Sequence, residues 1–252
     1  MPQFFKYMRI PKVIHKIVIT DDGDIPPFGE RLSAAVDTWT QKNEGYTVKM
    51  YSGKACERYI AEHFTQEHLD VYMTLKPYAF RADYFRQLVL LREGGWYSDL
   101  RQVCLEPLDA LNARGKDYYC CTDCPPNQMC MYNAFIGAVP DHPITQKYID
   151  LIHWNVAHEH YGLDCLYTTG PGVFMNAAID HLRAHMNDCF LGSHTSDECI
   201  TFAGTPIVKC KYNNASGADN RDLRGSNNYG HMWMARDVYD TSRARKHGGN
   251  PS

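Results

Sequence analysis

The chain has 252 residues, 44% of them hydrophobic and 22% charged, which leaves room for one large α/β unit with its own core and excludes a disordered or low-complexity chain. A formal net charge of -3 speaks against a general nucleic-acid binder, whose balance is basic. No apolar run is long enough to span a bilayer.

The opening MPQFFKYMRIPKVIHKI has early charges but no continuous apolar stretch ahead of a small-residue cleavage site, so it reads as mature sequence. The expected location is the cytoplasm or the cytoplasmic face of a membrane; a lumenal chain trimmed of its anchor is the alternative. Arg221, Arg224, Arg236, Arg243, Arg245 and Lys246 make the last stretch basic. It reads as a solvated tail over 236–252, with an anionic ligand or headgroup as the functional alternative. There are ten cysteines. Cys121-Thr-Asp-Cys124 has the gap of a zinc knuckle, yet a second well-spaced pair is missing, and Cys120 and Cys130 could complete four ligands only in a very tight loop. Free thiols are the expectation; a loop disulfide and structural zinc are the alternatives.

In chain order, Ile10–Thr20 is short and β-branched and runs into an Asp/Gly/Pro turn cluster, which predicts a buried strand. Glu30–Lys42 carries Leu32, Ala35, Val36 and Trp39 at helical spacing. Thr47–Tyr51 is a second strand, and Ser52 stands where an N-cap belongs, ahead of a helix to about Phe64. A short helix follows over Glu67–Leu75. The strongest helix runs from Tyr78 to about Glu93 and is stopped by Gly94-Gly95, with Trp96–Leu100 as a strand directly after. Tyr118–Cys121 and Tyr132–Val139 read as strands, and His142–His160 and Gly172–Met186 as helices. Two β segments, Cys199–Ala203 and Ile207–Cys210, precede a Gly/Asn/Asp/Ser-rich loop or lid over Asn213–Tyr229. Neither a repeat nor a dividing linker is visible, so residues 1–252 read as one domain with a core over 10–235.

The chemistry concentrates in Ala79–Arg101. Asp83 and Arg86 are three apart on a helix and share a face. Gly94-Gly95 turns the chain sharply out of that helix, and Asp99 then falls at a strand's carboxyl end, where open α/β sheets place their ligands. A carboxylate there suits a divalent cation bridging a diphosphate. Each piece has a bland account, a surface ion pair or a helix stop; their order and spacing favour the functional one.

The segment AFRADYFRQLVLLREGGWYSDLR resembles the signature of the DXD sugar-binding glycosyltransferases, the family of the fungal initiating mannosyltransferases and, more distantly, the clostridial glucosylating toxins. IPKVIHKI resembles the family's first strand, Thr169-Gly170-Pro171 its T-G-P turn, Asn133–Ala138 with His142-Pro143 the strand and helix start beyond the metal site, and His231-Met-Trp233 a late H-x-W element. The resemblance spans about residues 10–235. It implies a GT-A fold, a single Rossmann-like mixed sheet flanked by helices, and retaining transfer of a hexose-like sugar from a nucleoside diphosphate sugar to an acceptor hydroxyl, expected on a glycan. It assigns Asp83 to donor sugar or ribose hydroxyls, Arg86 to the sugar or diphosphate, Tyr97 to the nucleotide pocket, Asp99 to a metal, and Ile14 and His15 to the base or ribose. A core histidine is the other reading of His15. Gly170 and Pro171, opening a helix, suit a donor anion or hydroxyl or are simply local structure.

One departure stands out. The family's second Asp is Arg101, and a guanidinium cannot ligate a metal, although it can pair with a diphosphate directly. The expectation is Mn²⁺ or Mg²⁺ on Asp99, with His231 supplying the missing ligand; metal-independent transfer and a degenerate site are the alternatives. Asp99→Asn and Arg86→Ala are both expected to abolish transfer with the fold intact. The rival functions are a non-catalytic nucleotide-sugar binder and a nucleotidyltransferase. The second lacks support, since no Gly/Lys-rich phosphate loop follows the first strand.

Overall fold

Val13–Val18, six residues dominated by β-branched side chains, form β1. The computed structural model, which describes residues 9–124, 129–212 and 227–244, places this strand near one side of a nine-stranded sheet. β1 is shorter than 10–20 at both ends. Pro11 has no N–H for a ladder, and the Thr20 carbonyl is already turned to accept from Gly23 N at 3.0 Å.

The first half of the chain follows the periodicity closely: α1 Glu30–Lys42, β2 Thr47–Ser52, α2 Gly53–His63, α3 Gln66–Thr74, α4 Tyr78–Glu93 and β3 Gly95–Ser98. Ser52 caps α2, its Oγ accepting from Ala55 N at 3.1 Å, which satisfies one of the orphan amides of the first turn. Beyond β3 come β4 Val103–Cys104, α5 Asp109–Asn112, β5 Tyr118–Thr122, β6 Met131–Ala138, α6 Pro143–Ala157 and α7 Pro171–Ala184. His142 is the cap of α6 and not its first residue, with Nδ1 accepting from Ile144 N. The chain continues through β7 Cys189–His194, β8 Cys199–Phe202, β9 Thr205–Lys209, α8 Tyr229–Met234 and α9 Thr241–Ala244. β4, α5 and β7 have no counterpart in the sequence reading: two are too short to show a period, and Gly192, Ser193 and His194 blur the alternation of the third.

The strand order is β2-β1-β3-β6-β5-β7-β8-β9-β4. β1 pairs parallel with β2 and β3, β6 is antiparallel to β3 and β5, and β5 is parallel to β7. The sheet is therefore mixed. Side chains alternate between two cores: Ile17, Tyr97, Tyr118 and Ile136 point to the face covered by α2, α3, α4, α6 and α7, whereas Ile14, Trp96, Tyr119 and Phe135 join Trp39 of α1 on the other. α4 is buried almost all round, Phe80, Tyr84, Phe85, Leu88 and Val89 included. A helix enclosed in this way must bury whatever polar residues it carries, and that brings Asp83 and Arg86 inside. No helix among the described residues is long and apolar enough to cross a membrane.

The turn from α4 into β3 depends on two glycines. Gly94 has φ +63° and Gly95 φ +99°, a region that side chains with a Cβ rarely enter. A Cβ on Gly95 would also lie 2.5 Å from Val13 Cγ1 and 2.7 Å from Val13 O. Gly95→Ala is accordingly expected to cost about 2–4 kcal/mol through strain and overlap together. A denaturant midpoint equal to that of wild type would contradict this.

His15 sits fully buried beneath the same turn. One ring nitrogen, Nε2, is 2.9 Å from Gly94 O and the other, Nδ1, is 3.2 Å from Tyr51 Oη. Burial lowers its pKa to about 4, against the opposing pull of the Gly94 carbonyl and Glu93. Because the folded value lies below the unfolded value of about 6.5, stability is full above that pH. It falls as the pH drops towards about 4, by an amount on the order of 3 kcal/mol. Denaturant titrations in this window should show the slope in wild type and a much flatter one in His15→Gln.

The C-terminal stretch begins later than a tail from 236 implies. Val238 and Tyr239 are buried, Lys76 N donates to Val238 O at 2.9 Å, and Leu75 and Tyr239 form an isolated bridge, because two apolar residues can close the open end of α3. Arg236 lays its guanidinium over the Tyr161 and Trp233 rings. Arg221, Arg224, Arg245, Lys246 and most of the lid over Asn213–Tyr229 lie outside the described residues.

Candidate functional site

At the carboxyl end of β3 a cleft of about 180 Å³ opens between α4, β6 and the start of α7. Asp83, Arg86, Asp99, Gly170 and Pro171 line it, together with Phe80, Asn133, Leu166 and Tyr229.

Arg86 is the centre of this wall. It is 4% exposed, its Nη1 donates to Asn133 O at 2.6 Å, and its Nη2 lies 2.9 Å from Asp83 Oδ1 and 3.7 Å from Asp99 Oδ1. The guanidinium also stacks over Tyr97, 4.3 Å from the ring centroid. Burial by itself would lower the Arg86 pKa, but Tyr97, Asp83 and Asp99 outweigh it and raise it, so the group stays cationic. The arrangement is the rigid fork that makes Arg suited to buried ion pairs.

Asp83 is held from three sides. Asn133 Nδ2 donates to Oδ1 and Thr169 Oγ1 to Oδ2, both at 2.9 Å, in addition to Arg86. Burial raises its pKa in spite of Arg86 and these two hydrogen bonds. Tyr148 ties the α7 entrance to the same network, its hydroxyl lying 2.7 Å from Thr169 O and 2.8 Å from Gly170 O. A carboxylate offers about four acceptor positions, which leaves Asp83 with capacity for a hydroxyl in the cleft.

Asp99 is the exposed member, with 44% of its side chain open to solvent. Tyr97 Oη donates to its Oδ1 at 2.6 Å. Beneath it lies Lys16, fully buried, with Nζ donating to Ser98 Oγ at 3.0 Å and to Asp99 O at 3.2 Å and resting over the Trp39 ring. Burial lowers the Lys16 pKa to about 7 against the attraction of Asp99.

Several sequence assignments change. Ile14 and His15 do not reach the cleft: they pair with Trp96 and Tyr97, several residues short of the strand end, where both are fully buried. Tyr97 is 2% exposed and touches Arg86 and Asp99; it does not line the cleft. Trp96 belongs to the opposite core, stacked on Phe135. Arg101 and His231 are likewise absent from the lining. His231 lies on the exposed side of α8, whereas Tyr229, two residues earlier, faces the cleft. Asn133 and Thr169 entered the sequence reading only as parts of a strand and a turn, with no role of their own, although Asn133 is a lone amide in an otherwise apolar strand; Lys16 was read as part of β1 alone.

The cysteines are all free thiols. Cys120 and Cys121 point to opposite cores, because neighbours in a strand face opposite ways, so they cannot share a zinc ion. Among the described residues three clusters offer metal-ligand atoms, and none includes Asp99 or His231.

Residues 29–117 match the family model described as the glycosyltransferase sugar-binding region containing the DXD motif. The chain is 28% identical to an uncharacterized glycosyltransferase of Acanthamoeba polyphaga mimivirus over 69% of its own length and 66% of the relative's. It is 31% and 22% identical to the initiation-specific alpha-1,6-mannosyltransferases of Candida albicans and Schizosaccharomyces pombe, over 34% and 70% of the chain. The chain spans 23% and 54% of those two relatives. Among solved structures it resembles the PaToxG glycosyltransferase, with a TM-score of 0.52 and 20% identity, over 69% of the chain and 70% of that protein. The fold is thus of the GT-A type, and residues 29–117 are similar to the glycosyltransferase sugar-binding region that contains the DXD motif, with Arg101 where that motif has its second Asp.

Proposed function

We propose that the chain transfers a hexose-type sugar from a nucleoside diphosphate sugar to a hydroxyl group on a glycan, with retention of the anomeric configuration. The observation that carries this reading is the Asp83–Arg86–Asp99 constellation, in which one buried cation is shared by two carboxylates on the wall of a cleft at a strand's carboxyl end. Arg86 presents a permanent positive charge where a diphosphate would lie, preorganised by Asn133 and Asp83 at no cost of rearrangement during reaction. Asp83 offers an acceptor to sugar hydroxyls, and the α7 entrance at Gly170-Pro171 sets the positive end of that helix beside them.

A divalent cation fits this wall on restricted terms. One half-exposed carboxylate, with a guanidinium 3.7 Å from one of its oxygens, is too little for a cage of protein ligands, but Mg²⁺ is commonly held by one or two carboxylates plus substrate phosphates. Asp99 would hold Mn²⁺ or Mg²⁺ together with the donor diphosphate. The ion would offset negative charge on the departing nucleotide.

The test is a panel of UDP-, GDP- and other nucleotide hexoses, mannose included because two relatives are named mannosyltransferases. Binding is read by thermal shift and transfer by product NMR, with EDTA and Mn²⁺ arms. Stabilisation by one donor, with turnover restored by Mn²⁺, is expected, and the anomeric coupling of the product reports retention. Donor binding without hydrolysis or transfer would leave a binding protein in place of an enzyme.

A further inference from the structure

Where β7, β8 and β9 meet, outside the lining of the donor cleft, three ligand-type side chains converge. One ring nitrogen of His194, a carboxylate oxygen of Glu198 and the Cys210 sulfur lie within 4.8 Å of one another. They come from the end of β7, the β7–β8 turn and the residue after β9. Cys210 N donates to Glu198 O at 2.7 Å, so backbone pairing fixes two of the three. His194 and Cys210 are buried, at 8% and 3% exposure.

What marks the cluster is unmet bonding. His194 Nε2 and Glu198 Oε2 are both buried without a hydrogen-bond partner. They face each other across 3.8 Å, too far for a hydrogen bond. Zinc bonds of about 2.1 Å to nitrogen and oxygen at a tetrahedral angle would put such atoms about 3.4 Å apart, so a few tenths of an ångström of closure would seat an ion between them. The other ring nitrogen, Nδ1, lies 3.0 Å from Asp123 Oδ1. A carboxylate behind the imidazole is the usual outer partner of a metal-binding histidine, since it fixes the tautomer that leaves Nε2 open. Lys211 Nζ sits 3.5 Å from the same Glu198 oxygen and, being on a partly exposed side chain, can swing into solvent when a dication arrives.

We propose that His194, Glu198 and Cys210 bind a zinc-class transition-metal ion, with Asp123 orienting His194 and a fourth position left to water. The mixed imidazole, carboxylate and thiolate set suits Zn²⁺ and disfavours Mg²⁺ or Ca²⁺. Binding releases the Cys210 thiol proton to solvent, and the thiolate takes its place as the sulfur ligand. The ion would tie β7, β8 and β9 together. It would also stiffen the path to the donor site, because the Tyr132 ring lies 4.4 Å from that of His194 and its hydroxyl meets Gln102, which bonds Ser98 beside Asp99.

Co²⁺ titration of the full chain tests this without reference to activity. Intense tetrahedral d–d bands and a thiolate-to-cobalt charge-transfer band are expected at about one ion per chain, both abolished by added Zn²⁺. Cys210→Ser should lose the charge-transfer band, and His194→Gln and Glu198→Gln should weaken binding at least about tenfold. Cys199→Ser, in the adjacent strand, should leave the spectrum unchanged. Far-ultraviolet circular dichroism identifies any variant that has not folded, and Zn²⁺ should raise the melting temperature of wild type but not of a folded Cys210→Ser. An ion held at Asp99 would give only weak, sulfur-free bands that survive Cys210→Ser, so failure here is separable from failure of the donor site. A wild-type protein that shows no charge-transfer band with Co²⁺, or a band that persists in Cys210→Ser, overturns the proposal.

Discussion

Arg86→Ala is expected to abolish transfer to the limit of about a hundredfold or more and to destabilise the fold by about 3–5 kcal/mol. The sequence by itself suggests a catalytic loss with the fold intact. Burial changes that, because Arg86 is 4% exposed and pairs with Asp83 at 2.9 Å. Removing it strands a buried carboxylate and takes the partner from Asn133 O. Desolvating a charge without compensation costs several times what an exposed pair contributes. Arg86→Lys keeps the charge but not the planar fork that reaches Asn133 O and Asp83 together, so it should recover part of the stability and little of the rate. Denaturant unfolding beside initial-rate kinetics separates the two losses. A wild-type unfolding midpoint in Arg86→Ala would show that the buried pair does not hold α4 to β6.

Asp99→Asn is expected to behave in the opposite way: a fall in turnover of about 10²–10³ with stability within about 0.5 kcal/mol of wild type. The side chain is 44% exposed, and an asparagine carbonyl can still accept from Tyr97 Oη. What disappears is the negative charge, and with it the one carboxylate in the cleft open enough to share a cation with a diphosphate. The Mn²⁺ dependence of the remaining activity is the informative measurement. If Asp99→Asn responds to EDTA and Mn²⁺ as wild type does, and turns over at a similar rate, Asp99 is not the metal-linked residue.

Between these two residues lies the reason the site was only partly legible. Asp83 and Arg86 share a helix, so a three-residue spacing was enough to join them. Asp99 follows a glycine turn and a short strand, and the strand-end rule for α/β sheets located it. Asn133, Thr169 and Tyr148 come from β6, the α7 entrance and α6, and only the packing of those elements brings them to Asp83. Ile14 shows the converse error, and for His15 the core reading is the one that the burial supports. Both lie in the right strand but below its carboxyl end, and a one-sequence reading cannot say how far along β1 the neighbouring β3 stops.

Hydrophobic period, caps and glycines were sufficient by themselves for α1 through β3 and for setting Asp83 and Arg86 on one face of a helix, because each rests on contacts between residues close in the chain; the GT-A fold was implied by the family resemblance of Ala79–Arg101 and not by period. The strand order, the two faces of the sheet, the burial of Arg86 and the meeting of His194, Glu198 and Cys210 were decided only by the tertiary structure. Those features depend on pairing between distant strands, where shifting one residue exchanges the faces, and no local pattern records which residue stands opposite which.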